Sequence, residues 1–299
     1  MSLIKLSDML KNAQKNGYAV GYFEAWDTYS FEAVLEAAEE ENSPVVLGFG
    51  GMTMHQDWLK RYGIAPLGHY GIKIIESSKI PAAFILNEVP KIEHIKSGIG
   101  TGFNTVMLDS SYLAFKQNVT ITSKVVKLVK PYNIEVQAEL GRLPTFGETS
   151  DGGLTDPDQA EEFVKKTGVD FLAVSIGNVH LQTNGSFNVD TLRLEKIREK
   201  VPVPLVLHGG SGFPNNVVDN VIKAGISLFH YGTAMKKAFL EETVKHLKKI
   251  PNKIDYQAFV GCRKATDILM PAKKAIKNIV KRQIKLYGSS NKAKLFKKG

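Results

Sequence analysis

The chain has 299 residues, a formal net charge of +9 and a single cysteine, Cys262. This length suffices for one large α/β domain or for two small ones. No apolar run reaches the roughly 18 residues of a membrane span, the N-terminus lacks a secretory-signal pattern, and a lone cysteine excludes an intrachain disulfide. We therefore expect a cytoplasmic protein with no membrane partner.

Short β-branched runs alternate with longer helical patterns along the whole chain, and no linker interrupts them. Strands are predicted near eight segments, Tyr18–Phe23, Pro44–Phe49, Ala82–Leu86, Thr105–Asp109, Glu135–Leu140, Phe171–Gly177, Leu205–His208 and Leu228–Tyr231. Helices are predicted between them, for example over Ser30–Glu41 and over Asp158–Lys166. The alternation indicates an α/β fold, a single (β/α)8 TIM barrel domain over residues 1–299, with a doubly wound open sheet as the alternative.

Much of the positive charge lies in a basic C-terminal helix and tail that begin at about residue 271. The helical part carries Lys273, Lys274, Lys277, Lys281, Arg282 and Lys285. Because the spacing matches no nucleic-acid recognition motif, the pattern favours a solvated helix face over a polyanion site. We expect no nucleic-acid partner, although a basic balance can raise the local concentration of small anionic substrates.

Chemically active side chains recur at the predicted strand ends, where TIM barrels build their active sites. Three of the seven histidines, His180, His208 and His230, fall at or just beyond strands six, seven and eight. Carboxylates stand at other strand ends, as Glu24, Glu88, Asp109 and Glu139. This distribution suggests one shared site.

A loop of small residues follows His208 directly, in the run Pro204-Leu-Val-Leu-His-Gly-Gly-Ser-Gly212. Backbone N–H groups in such a loop can approach an anion closely because little side-chain bulk stands in the way. The run predicts a metal-ligand-type residue beside a phosphate cradle, and a plain strand-to-helix turn is the alternative.

Seven stretches match motifs of one known family, namely Gly17–Gly21, Ala37–Pro44, Ala138–Arg142, Thr167–Asp170, Ala173–His180, His208–Gly212 and Ile284–Ser289. On these stretches the chain resembles the class II, metal-dependent ketose-bisphosphate aldolases over nearly its whole length. The resemblance implies a TIM barrel, a homodimer or homotetramer, and a zinc ion held by three histidines. In that family the metal stabilises the enediolate left when a C–C bond of a phosphorylated ketose breaks.

Part of the family's site is present in this chain. His180 and His208 match two of its metal histidines. The residues that match its phosphate cradle are Gly209, Gly210, Ser211 and Thr233.

The main departure follows strand three, where the family has His-Leu-Asp-His and this chain has Ile85-Leu-Asn-Glu88. Glu88 is the expected third metal ligand, since two histidines and one glutamate form a known catalytic zinc set, with manganese or iron as alternatives. Asn87 takes the place of the catalytic aspartate and cannot exchange a proton near neutral pH.

Other departures surround the same rim. Glu24 stands where the family has asparagine, His230 ends a segment that reads Lys-Val-Asn in the family, Gly50 replaces a serine and Leu181 replaces a glycine. Glu24 and His230 can titrate, so either is a candidate for the missing proton-transfer group.

The strand-five loop offers two further acids and a candidate lid. Glu139 and Glu148 could serve as relief acids on the strand-five loop, and Gly147–Thr155 is typical of a mobile lid.

These residues favour an aldolase-type lyase of phosphorylated ketoses with an altered substrate or an altered acid/base group. A conventional fructose- or tagatose-bisphosphate aldolase is the first alternative. A non-catalytic phosphosugar-binding barrel is the second.

Overall fold

Eight parallel strands close into a barrel in chain order in the computed structural model, which describes residues 2–51, 54–144, 153–180, 189–250 and 253–296. The strands β1 to β8 are Val20–Ala25, Val45–Gly50, Ala82–Val89, Thr105–Leu108, Glu135–Leu140, Phe171–Val174, Leu205–Leu207 and Ile226–Tyr231. Each overlaps its predicted segment, and β1 pairs with β8 to close the sheet. The predicted TIM barrel is thus confirmed, and the open-sheet alternative is wrong.

Helices lie between the strands and around them. Those of the described ranges, α1 to α12, are Leu6–Lys15, Thr28–Glu40, Gln56–Tyr62, Ala65–Glu76, Ile92–Gly98, Phe115–Val129, Pro157–Thr167, Thr191–Lys200, Val218–Lys223, Thr233–Leu247, Tyr256–Phe259 and Met270–Leu286. Side-chain N-caps fix where several helices begin. At the start of α2, the Asp27 side chain accepts a hydrogen bond from the Ser30 N–H. None of these helices has both the length and the apolar character needed to cross a membrane.

The apolar residues form two cores because a barrel strand buries both of its faces. On β1, Phe23 and Ala25 belong to the outer core between strands and helices, whereas Val20 and Tyr22 belong to the inner core. The inner core also includes Leu6, Met9 and Leu10 of α1. Glu24, Asn87, Glu88, Glu139 and His230 lie toward the carboxyl ends of their strands.

Helix α12 packs against α2 through a ladder of ion pairs. Lys273 contacts Glu32 at 2.8 Å and Glu36 at 2.6 Å, Lys277 contacts Glu40 at 2.8 Å, and Lys281 contacts Glu40 at 2.7 Å. The solvated face predicted for this helix is therefore wrong in part. Of the six basic residues predicted for this helix, Lys273, Lys277, Lys281 and Lys285 are paired with acids of α2 or with Glu41 just after it.

The close approach of β2 to β3 depends on Gly48. It pairs with Ile85, and a Cβ at position 48 would lie 2.0 Å from the Ile85 carbonyl oxygen. That carbonyl is main chain and cannot swing aside as a flexible side chain would. Gly48 therefore holds in place the strand that carries Asn87 and Glu88.

We expect Gly48→Ala to lower the free energy of unfolding by about 3 kcal/mol or more, since overpacking a tight interior is costly and here the clash is with backbone. Denaturant unfolding followed by circular dichroism measures this. Gly153→Ala is the matched control, because among the described residues its Cβ would meet just the Arg142 nitrogen, at 3.9 Å. Equal stability losses in the two variants would contradict the packing argument.

Candidate active site at the carboxyl end of the barrel

A cavity of about 310 Å³ opens at the carboxyl ends of the strands. The residues predicted for the site that line it are Glu24, Asn87, Glu88, His180, His208, Gly209, Ser211, His230 and Thr233. Gly210 is the exception, because it lies behind the cavity wall, where a Cβ would meet the carbonyl oxygen of His230 at 2.7 Å. One surface thus brings together residues from strands one, three, six, seven and eight.

Four side chains converge on one point of this cavity. Ligand-type atoms of Glu88, Glu139, His180 and His208 all lie within 4.8 Å of one another. The Glu88 Oε1 atom is 3.2 Å from Nδ1 of His208 and 3.9 Å from Nε2 of His180. The three residues predicted as metal ligands are therefore close enough to share an ion, and their role as ligands remains a prediction.

A local irregularity of β3 directs Glu88 into the cavity. The register with β4 shifts between Leu86 and Val89, and Glu88 adopts a left-handed φ of 47°. Such a backbone costs about 1–3 kcal/mol in a non-glycine residue and tends to occur at functional sites. The Asn87 Nδ2 group donates to Glu88 Oε2 at 2.9 Å and fixes the carboxylate from its other side.

Glu139 is a fourth member of the cluster that the sequence reasoning did not assign as a ligand. Its Oε2 lies 2.7 Å from His208 Nδ1 and 3.9 Å from His180 Nε2, and its side chain is 3% exposed. Oε2 and His208 Nδ1 are buried, close and yet without a well-directed hydrogen bond. This arrangement is expected when two ligand atoms point at a common centre rather than at each other. The donor set therefore fits a divalent metal.

The sequence carried a signal for Glu139. Gln137 and Glu139 alternate on a strand whose residues are all buried, so both face the barrel interior. An inward carboxylate needs a cation or a metal as its partner. Only the register of β5 against its neighbours identifies which partner it meets.

The charges of this cluster shift its pKa values in opposite directions. Burial opposes the charged imidazole, but the nearby Glu139 and Glu88 carboxylates outweigh it and raise the pKa of His208 to about 10. The pKa of His180 is also raised, against burial, by Glu139 and Glu88. Burial likewise opposes ionisation of Glu88 and Glu139, yet the two histidines lower the pKa of both carboxyls. Without metal, the site is therefore a buried set of ion pairs.

Gln137 links His208 to His230. Its amide Nε2 lies 3.0 Å from Nε2 of His208 and 3.1 Å from Nε2 of His230, and the two rings stack with centroids 4.1 Å apart. Burial, together with the charges of His208 and His180, holds the pKa of His230 well below its usual range. His230 is thus a neutral imidazole whose Nδ1 has no hydrogen-bond partner among the described residues.

Glu24 is engaged in an ion pair at the rim. Its Oε1 lies 2.5 Å from Nζ of Lys236, and that ammonium also lies 5.8 Å from the ring centroid of Trp26. Lys236 lines the cavity and was not identified from the sequence. A Cβ at Gly50 would meet Glu24 Oε2 at 2.7 Å, so the glycine that replaces the family's serine leaves room for this carboxylate.

The small-residue loop after β7 meets the start of α10. Ser211 Oγ accepts from the N–H groups of Ala234, at 3.1 Å, and Gly232, at 3.3 Å. Gly209 has a left-handed φ of 73°, and a Cβ there would strike the Val179 carbonyl oxygen at 2.3 Å. Thr233 begins α10, so the loop stands at the positive end of a helix dipole.

Asp109 is a further carboxyl of the cavity wall to which the sequence reasoning gave no role. Its carboxylate accepts from the Ser111 hydroxyl at 3.2 Å. Burial and the charges of Glu139 and Glu88 nevertheless raise its pKa. Glu148, Leu181 and most of the predicted lid, at 147–152, lie outside the described residues.

Comparison with known proteins identifies relatives of the entire chain. The family model "Fructose-bisphosphate aldolase class-II" matches residues 4–292. The chain is similar to the fructose-bisphosphate aldolase of Geobacillus stearothermophilus, with 35% identity over 300 residues that cover 98% of this chain and 99% of that protein. It is also similar to the fructose-bisphosphate aldolase of Staphylococcus epidermidis, with 34% identity over 304 residues, 98% of this chain and 100% of that protein.

Among solved structures, the chain is similar to the YdjI aldolase from Escherichia coli K12. The TM-score is 0.80 and the sequence identity is 28%, and the match covers 97% of this chain and 99% of that one. The likeness therefore extends to the whole barrel.

We expect metal binding near pH 7.5 to release about one proton from His208 and an additional fraction from His180, because a metal needs neutral imidazoles, the pKa of His208 is raised to about 10 and that of His180 is also raised. Affinity should accordingly rise as pH increases toward about 10, the pKa of His208. Calorimetric titration of zinc in buffers of different ionisation enthalpy measures the protons released.

His69→Gln is the control, since His69 is exposed and belongs to α4. It should leave the proton count unchanged, whereas His208→Gln should lower it by about one. Zinc binding without proton release would show that the metal does not enter this cluster.

Proposed function

The chain belongs to the class II fructose-bisphosphate aldolase family and is a metal-dependent aldehyde lyase, and on that premise we propose that its substrate or its proton-transfer group is altered. The reaction is cleavage or formation of a C–C bond in a phosphorylated ketose. Asn87 is the observation that carries the alteration. It lies in the cavity where the family's catalytic aspartate is expected, and its amide is committed to Glu88.

Glu88, His180 and His208 are the proposed metal ligands, with Glu139 as a fourth oxygen donor at the same point. When bound, a divalent metal supplies Lewis-acid stabilisation of the enediolate. Zinc is the proposed ion, and the two carboxylates keep manganese and iron as alternatives. Gln137 orients His208 from the far side of its ring, as outer-shell partners of metal ligands do.

Proton transfer is assigned to the side chains of the altered rim. We place Asn87 beside the reacting carbons as a hydrogen-bonding group, and we retain Glu24 and His230 as the titratable candidates. Lys236 keeps the Glu24 carboxylate at the rim, whereas His230 presents an unpaired nitrogen next to His208. A substrate whose leaving hydroxyl points toward strands one and eight would meet either group.

The anionic end of the substrate is proposed to bind at Gly209, Gly210, Ser211 and Thr233. The backbone N–H groups of this loop, the start of α10 and the Lys236 ammonium all favour negative charge there. A homodimeric or homotetrameric assembly and a cytoplasmic location are proposed on the family resemblance.

We expect the protein to cleave fructose 1,6-bisphosphate or tagatose 1,6-bisphosphate poorly, about 10² to 10⁴ below an ordinary rate, because loss of a general acid/base typically costs that much. Steady-state assays with zinc, manganese and iron measure this. Asn87→Asp should raise the rate. The double variant Asn87→Asp with Glu88→His should raise it further, since it relieves the new aspartate of an adjacent carboxylate.

Turnover of either bisphosphate by the natural protein at about 1–10³ per second would favour the conventional aldolase instead. Absence of cleavage of every phosphorylated ketose with all three metals, combined with retained binding, would favour a phosphosugar-binding barrel.

We expect Lys236→Met to weaken binding of inorganic phosphate by about fivefold, because it leaves the Glu24 carboxylate, whose side chain is 13% exposed, without its cation. Adding Glu24→Asn should restore most of the affinity, since it removes that uncompensated carboxylate. Isothermal calorimetry measures both variants. Equal weakening in the single and double variants would mean that Glu24 and Lys236 act independently.

A further inference from the structure

Three polar atoms of the cavity wall are buried without any hydrogen-bond partner among the described residues and do not belong to the proposed metal ligands. They are the Tyr22 hydroxyl, the Asn87 Oδ1 and the His230 Nδ1. Their residues are 1%, 1% and 7% exposed. An unpaired buried polar atom costs about 1–3 kcal/mol, so three of them facing one cavity indicate a ligand that completes them.

Tyr22 reaches this cavity because of its place on β1. It faces the barrel interior and is paired in register with His230 on β8. Its ring packs edge-on against His230 with centroids 4.5 Å apart, and His230 in turn stacks on His208. The ring belongs to the inner core, and Tyr22 also lines the cavity.

The other two atoms are held in place by hydrogen bonds on their far sides. Asn87 donates its Nδ2 to Glu88, which leaves Oδ1 as an acceptor toward the cavity. His230 meets Gln137 through Nε2, which leaves Nδ1. All three side chains therefore present a fixed polar atom at a site that borders the metal cluster.

The set is uncharged, unlike the rest of the cavity. Glu88 and Glu139 lie next to Asn87 and His208, so a phosphate group at this place would meet two carboxylates. His180 and His208 pair with these two carboxylates, and further positive charge lies at Arg142, Lys236 and the start of α10. A hydroxyl group can both donate and accept, and so it matches this set where a phosphate does not.

We propose that Tyr22, together with Asn87 and His230, binds hydroxyl groups on the uncharged, polyhydroxylated segment of the substrate, and that Tyr22 is a specificity-determining residue. This inference rests on the proposed function. The substrate is accordingly a phosphorylated ketose anchored by one phosphate at the loop after β7, with free hydroxyls along the metal cluster. Tyr22 then discriminates between phosphorylated ketoses by the length and hydroxylation of the carbon chain beyond the bound phosphate.

The test is calorimetric binding of two non-reacting probes to the zinc-supplemented protein. Glucitol 6-phosphate extends a hydroxylated chain from its phosphate, whereas glycerol 1-phosphate is too short to reach past the anchor. Tyr22→Phe removes only the hydroxyl and keeps the ring packing. This variant should weaken the affinity for glucitol 6-phosphate by about two- to tenfold, which is the contribution of one hydrogen bond, and should leave the affinity for glycerol 1-phosphate unchanged.

Tyr18→Phe is the matched control, because it removes another buried tyrosine hydroxyl of the inner core, one that bonds to Asn12 instead. It should change neither affinity. If Tyr22→Phe leaves both affinities unchanged, or weakens both equally, the inference is overturned while the proposed function stands. If the natural protein binds neither probe, the proposed function fails and the inference falls with it.

Discussion

The buried contact between His208 and Glu139 is the constraint on which the mouth of the barrel depends. Their charged atoms lie 2.7 Å apart, and their side chains are 1% and 3% exposed. A buried ion is tolerated only when a partner compensates it, and breaking such a pair leaves an uncompensated charge. Glu88 and His180 join the same cluster, so residues from four strands are fixed relative to one another. The strained backbone of Glu88 is maintained by these contacts.

The composition of this cluster also explains how a metal can enter. Two carboxylates and two protonated histidines carry no net charge. Two carboxylates, two neutral histidines and a divalent cation carry none either. A divalent metal on the proposed ligands would therefore replace the imidazolium protons with little change in the buried charge, whereas a set with three histidines and one carboxylate would become positive. Glu88 in place of histidine makes this site electroneutral in both states, which favours a tightly closed environment.

The sequence predicted the barrel well because the signal was periodic and repeated. Each β/α unit supplied its own evidence, and strand bounds such as those of β5 were predicted to the residue. The site was predicted less completely. Residues at strand ends, such as His208, were identifiable from position alone. Glu139 was identified as a strand-end carboxylate but not as a candidate ligand, and Tyr22 and Lys236 were not identified. Their roles depend on register between strands distant in sequence and on a helix face, which no local pattern encodes.

The two departures after strand three are best understood as one change. An aspartate at position 87 would place a third carboxylate beside Glu88 and Glu139, against only two histidines. Added negative charge is costly beside this cluster, since burial and those same two carboxylates already raise the pKa of Asp109 nearby. Asn87 avoids this repulsion and donates a hydrogen bond to Glu88 instead. Asparagine at this position is therefore the electrostatic consequence of glutamate at the next. The proposed change of proton-transfer group follows from this pairing, because an amide at position 87 cannot exchange a proton near neutral pH.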